Sequence, residues 1–237
     1  MSYYLGLSIL SNDHNANGNA DGANPQKGRQ TRLSAEARRI LSQFAGSPLA
    51  EDAIDREGQG RPFFTDRELP GRERDFSISH SGSFAAVSFI AGKNRRTGCD
   101  VELVRKRPTA AAIAAEFFSA PENDYIISQG HFDETKFYQI WTLKESYLKL
   151  RGLSVFDIGE VPSFIHDGNF AFGATVTSPL SFRLYTLGDE NERYILATAF
   201  EGTEAEAPEM RWFSQASLSC KNIAKGKFNL APLPLGI

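Results

Sequence analysis

FSISHSGSFAAVSFIAGKNRRTGCDVELV, residues 76–104, falls into three short alternating runs separated by turn residues. Phe76, Ile78 and His80 lie on one side of the first run and three serines on the other, the period of two expected of a strand. A Ser-Gly-Ser connection at 81–83 closes a hairpin onto FAAVSFIAG, and GKNRRTG turns the chain into a third strand, CDVELV. Further on, FYQIWTLKESYLKL, residues 137–150, changes to helical spacing, with Asp133 placed to cap the helix and Gly152 to end it in a left-handed conformation. Strands and helices segregate without a regular βαβ alternation, which predicts an α+β fold rather than a doubly wound sheet.

Working outward, residues 3–10 alternate as a strand, with Tyr3, Leu5, Leu7 and Ile9 on one side. Residues 11–30 are rich in Asn, Gly and Ala, bury too little apolar surface to offset their ordering entropy, and are expected to form a long mobile loop in which His14 is solvated. Ser34 can cap a helix running through Phe44, with Gly46 just past its end, and 49–75 reads as loop. Ser119, three residues before Glu122, matches a capping box. FAFGATV, SFRLYTL and ERYILATAF then read as three further strands. Ser83–Ile90 and Arg193–Phe200 are strands of similar length, each leading to a glycine turn. The chain therefore reads as two similar subdomains related by a pseudo-twofold, each a small, mainly antiparallel sheet packed with helices. The expected division is 1–105 and 106–237, with the site between the two.

The totals narrow the function. With 237 residues, 41% hydrophobic and 23% charged, the chain is an ordinary globular protein. A net charge of −3 and a pI near 5.9 argue against nucleic acid as a partner. Cys99 and Cys220 build neither a disulfide framework nor a four-ligand zinc site. No apolar run approaches a membrane span, and the N-terminus is a poor signal peptide, so a cytoplasmic protein is expected.

In CDVELV, Cys99, Val101 and Leu103 face one way and Asp100 and Glu102 the other. Side chains two apart on a strand, about 6.5–7 Å at the backbone, can lean together on one hard cation such as magnesium. Two ordinary solvent-facing acids are the alternative. On the helix, Trp141, Glu145 and Lys149 recur every fourth residue and share a face. They are either a surface ion pair contributing about 0.3–0.5 kcal/mol beside a core aromatic, or part of the same site. Lys93, Arg95, Arg96, Arg105, Lys106 and Arg107 flank the acids, a cluster suited to a phosphate-rich ligand or to solvated turns.

TGCDVELV followed by FYQIWTLKESYLK resembles the two signature motifs of the 4′-phosphopantetheinyl transferase family, a hydrophobic-Gly-x-Asp-hydrophobic-Glu strand and a Trp-x-x-Lys-Glu-x-x-x-x-Lys helix. Gly60-Arg61-Pro62 resembles the family's Gly-Lys-Pro, with arginine for lysine, and FSISHSG its Asn-hydrophobic-Ser-His-Ser, with Ser77 for asparagine. Chain length and the repeated halves match the larger, pseudo-dimeric type typified by the surfactin synthetase activator. The resemblance implies transfer of 4′-phosphopantetheine from coenzyme A to a serine of an apo acyl or peptidyl carrier protein, releasing 3′,5′-ADP. It implies magnesium, with manganese as a substitute, held by Asp100, Glu102 and Glu145; catalysis by Glu145 and Lys149; and coenzyme A bound by Arg61, Ser79, His80, Lys144 and Lys149. Lys27, Arg32, Arg38 and Arg39 are further candidates for coenzyme A contacts, and a monomer is expected. Two other readings stand beside it: a nuclease-like magnesium-dependent phosphodiester enzyme, and a non-catalytic module that holds coenzyme A or a carrier protein.

Overall fold

A computed structural model describes residues 2–10, 25–46, 48–50, 52–56, 60–65, 74–92, 95–170, 180–188, 192–202 and 209–213. In chain order the elements are β1 (Ser2–Ile9), α1 (Pro25–Ala45), β2 (Ile54–Arg56), β3 (Pro62–Phe64), β4 (Arg74–Ser81), β5 (Phe84–Ala91), β6 (Thr97–Leu103), α2 (Ala110–Phe117) and α3 (Ala120–Ile126). They continue with β7 (Ile127–Ser128), β8 (His131–Phe132), α4 (Glu134–Arg151), a 3₁₀ turn at Val155–Glu160, β9 (Ile165–His166), β10 (Asn169–Phe170), β11 (Leu180–Gly188), β12 (Arg193–Glu201) and β13 (Glu209–Trp212).

Among the described residues, one sheet runs β13-β1-β5-β4 and another β11-β12-β6. All their pairings are antiparallel except β1 with β13. Strand alternation sorts each strand's side chains into an inner and an outer set. Leu5, Leu7, Phe84, Cys99, Val101, Leu187 and Leu196 meet between the two sheets. On the outer face of the first sheet, Phe76, Val87 and Phe89 pack against Ile40, Leu41 and Phe44 of α1. On the outer face of the second, Phe182, Leu184, Ile195 and Ala197 pack with Ile140, Leu143 and Leu150 of α4. The order of layers is helix, sheet, sheet, helix, and the α+β expectation is borne out.

The two sheets repeat one plan. A strand, a helix, and two further strands give β1-β5-β4 in the first and β6-β12-β11 in the second, with the last strand in the centre each time. The helix crosses its sheet at a glycine in both. A Cβ at Gly6 would lie 2.4 Å from Ile40 Cγ2 and 2.9 Å from Phe44 Cε2, both side-chain atoms of α1. A Cβ at Gly98 would lie 2.0 Å from the Ser146 carbonyl oxygen and 2.6 Å from the Leu150 nitrogen, which are backbone atoms of α4. Side chains can turn aside, whereas a helix backbone moves only as a unit. Gly98→Ala should therefore overpack the α4–β6 contact and cost about 1–3 kcal/mol or more, with Gly6→Ala milder; thermal melts of the two variants check this.

Several expectations change. The first helix starts at Pro25, where the missing N–H lacks an intrahelical partner in any case, so Ser34 lies inside it and residues 25–30 are helical rather than loop. Residues 11–24, and the greater part of the FAFGATV strand, lie outside the described residues. The segment read as loop at 49–75 holds the β2–β3 hairpin. The third strand of the opening stretch forms as β6 and pairs with β12. The caps at Ser119, Asp133 and Gly152 form as read, the last with φ 72°. No helix among the described residues is long and apolar enough to cross a membrane.

Candidate active site

α4 is buried on more than one face: Phe137, Ile140, Leu143, Ser146 and Leu148 are all within the core. Because Gly98 has no side chain, the helix backbone sits directly on β6, and the next outward residues of that strand, Asp100 and Glu102, face its stripe of Trp141, Glu145 and Lys149. The Lys149 ammonium lies 2.7 Å from Asp100 Oδ1 and donates to Ser79 Oγ at 3.1 Å. Ser79 Oγ donates to the same Asp100 oxygen at 2.8 Å, and Ser81 Oγ donates to Glu102 Oε2 at 2.8 Å. Trp141 is 9% exposed, stacks on Phe137, and carries the Arg107 guanidinium 5.2 Å from its ring centre, so it forms the floor beside the acids.

Asp100 is only 4% exposed. The surface-pair reading of the helix is thereby overturned: Lys149 reaches across to a buried strand carboxylate, not along the helix surface. The charges are strongly coupled. Burial and then the Asp100 charge push the Glu145 carboxyl up to about 7, with Lys149 and Arg107 pulling the other way. Burial and Asp100 also raise Glu102, against the hydrogen bond from Ser81. Burial alone would lower the Lys149 ammonium, but Asp100, Cys99 and Glu145 outweigh it and hold it above its ordinary value. The Asp100 charge raises both Glu102 and Glu145, so added positive charge is favourable in this site.

The donor set suits a hard divalent cation. Magnesium takes carboxylate oxygens and keeps positions for water and phosphate, and Asp100 Oδ2 is buried with no hydrogen-bond partner among the described residues. As the side chains stand, no group of three or more His, Cys, Asp or Glu among the described residues is arranged to hold a metal ion. Lys149 supplies the positive charge beside Asp100.

Three further residues were expected to bind coenzyme A. Lys144 is corrected outright: its ammonium lies 3.1 Å from Glu122 Oε2, donates to the Val161 carbonyl at 3.0 Å, and is 1% exposed, on the side of α4 away from Asp100. A group so enclosed cannot reach a coenzyme. Arg61 donates to the Leu150 carbonyl at the end of α4, to Asp75, and to the carbonyls of Phe76 and Thr97, tying α4 to β4 and β6. His80 lies on the face of β4 shared with Phe76 and Ile78, opposite Ser79. Among the N-terminal candidates, Arg38 donates to the Ala50 carbonyl, Arg39 pairs with Glu36, Arg32 is exposed, and the Lys27 side chain lies outside the described residues. Two contributors were missed in the sequence, Ser81 and the Arg107–Trp141 contact; only strand alternation pointed to the first, and nothing local to the second.

The profile described as the 4′-phosphopantetheinyl transferase superfamily matches residues 96–199, which contain both β6 and α4. The chain is 31% identical over 119 residues to the 4′-phosphopantetheinyl transferase psf-1 of Bacillus pumilus, covering 50% of this chain and 47% of that protein. It is 32% identical over 133 residues to AcpT of Salmonella typhimurium, covering 56% and 65%, and 34% identical over 144 residues to AcpT of Escherichia coli, covering 60% and 68%. The match thus spans about half the length of the first of these relatives and about two thirds of the other two. The chain belongs to the 4′-phosphopantetheinyl transferase family.

Proposed function

We propose that this protein transfers 4′-phosphopantetheine from coenzyme A to a serine hydroxyl of an apo acyl or peptidyl carrier protein and releases 3′,5′-ADP. The observation that carries the reading is the meeting of Asp100, Glu102, Glu145 and Lys149 where α4 crosses β6, in a chain of this family. The serine oxygen bonds to the phosphorus that bears the pantetheine arm, and the bond from that phosphorus to the bridging oxygen breaks. Glu145, or a water it orients, takes the serine proton. Lys149 faces the phosphate chain, stabilises the charge that grows on the leaving ADP phosphate, and can return a proton to it. Asp100, Glu102 and Glu145 would hold magnesium, or manganese in its place, which when bound neutralises the diphosphate oxygens. His80 is proposed for the nucleotide end of coenzyme A. Ser79 and Arg61 are proposed for the same end, and their contacts also hold Asp100 and α4 in place. Action as a monomer in the cytoplasm, without nucleic acid or membrane partners, belongs to the same proposal.

The test is incubation with coenzyme A, magnesium and a panel of apo carrier proteins, read by intact mass. One carrier should gain a single phosphopantetheinyl group, and EDTA should abolish the gain. A panel that stays apo counts against transfer; transfer unchanged by EDTA counts against the metal.

A further inference from the structure

β6 pairs with β12 along one edge, and its other edge is met by side chains instead of a strand backbone. Thr97 N–H donates to Asp75 Oδ2 at 2.8 Å, Cys99 N–H to Ser77 Oγ at 3.1 Å, Val101 N–H to Ser79 Oγ at 3.2 Å, and Leu103 N–H to Ser81 Oγ at 3.1 Å. All four pairs are separated by 22 residues, so β4 runs alongside β6 in fixed register with side-chain oxygens in place of carbonyls. An open strand edge is thus satisfied without a ladder.

A serine hydroxyl that accepts a backbone N–H still has its own proton to give. At Ser79 that proton goes to Asp100, and at Ser81 to Glu102, in each case the acid one residue before the N–H being accepted. At Ser77 the corresponding residue is Gly98, which has no side chain to receive it. We infer that Ser79 and Ser81 are positioning residues. Each locks a carboxylate of β6 to the register of β4, so that one oxygen takes the serine hydrogen bond and the other does not. Asp100 Oδ2, buried and without a hydrogen-bond partner among the described residues, is the oxygen left over at Ser79's acid. The inference rests on the metal-dependent reading above.

Ser77 and Ser81 make the same backbone contact and differ in whether an acid is held, which supplies an internal control. Manganese binding to the free protein, followed by electron paramagnetic resonance, should weaken by roughly 10–100-fold in Ser81→Ala, the range typical when a partner orienting a metal ligand is removed. Ser81→Thr, which keeps a hydroxyl, should restore most of the affinity. Ser77→Ala should lower the melting temperature without changing manganese affinity. Equal manganese binding by wild type and Ser81→Ala, or equal weakening in Ser77→Ala and Ser81→Ala, would overturn the inference while leaving the metal reading intact. Wild-type protein that takes up no manganese would overturn the metal reading, and this inference with it.

Discussion

Glu145→Gln and Lys149→Ala are each expected to lower turnover with coenzyme A and an apo carrier protein by roughly a hundred- to thousandfold, or about 2.7–4 kcal/mol of transition-state stabilisation. The two variants should fail differently. Glu145→Gln removes one of three coupled carboxylates and the proposed base; divalent-metal affinity should fall, and added magnesium should restore part of the rate. It also removes charge from a crowded acidic site, so the fold should hold. Lys149→Ala removes the cation 2.7 Å from Asp100. Excess magnesium should not replace a group that serves the leaving phosphate, and the buried Asp100 loses one of the two donors to its Oδ1, keeping only Ser79. That costs about 1–3 kcal/mol of stability, so its assay belongs well below its melting temperature. Near-normal turnover in both variants would remove α4 from the chemistry.

The second large effect is on folding. Lys144→Met should destabilise the protein by about 3–5 kcal/mol, the usual cost of removing one partner of a buried ion pair. At roughly 2–4 °C per kcal/mol for a chain of this size, the melting temperature should fall by roughly 6–20 °C. Glu122 is fixed in place, its two oxygens accepting the N–H groups of Ser119 and Phe164. Lys144→Met/Glu122→Gln should therefore recover part of the loss. If Lys144 instead touched coenzyme A, the single variant would melt normally and show a raised KM for coenzyme A. Those are opposite signatures, obtained from one purified protein.

Lys144 and Glu145 are neighbours in one motif, and the sequence offered no ground for separating them. On a helix, adjacent residues point about 100° apart, so one of the pair can face β6 while the other faces α3. Which is which depends on where α3 and its capping glutamate dock. Ser79 and His80 present the same difficulty on a strand, where neighbours point to opposite faces. Arg61 was legible as a positive charge where the family has lysine, yet not as a tie between α4, β4 and β6, since its acceptors come from three separate stretches of chain.

What the sequence determined by itself is what acts over short range. The hairpin at 76–91, the caps at Ser119, Asp133 and Gly152, the outward pairing of Asp100 with Glu102, and the common face of Glu145 and Lys149 all follow from periods of two and 3.6 and from local capping chemistry. Tertiary structure decided the rest. It paired β6 with β12, brought β13 back beside β1, buried Asp100 under α4, and gave Lys149 a partner 49 residues away. The physical reason is that these outcomes depend on close approach between distant segments. At Gly98 that approach is set by a missing side chain, and a missing side chain carries no periodic signal from which the partner helix could be read.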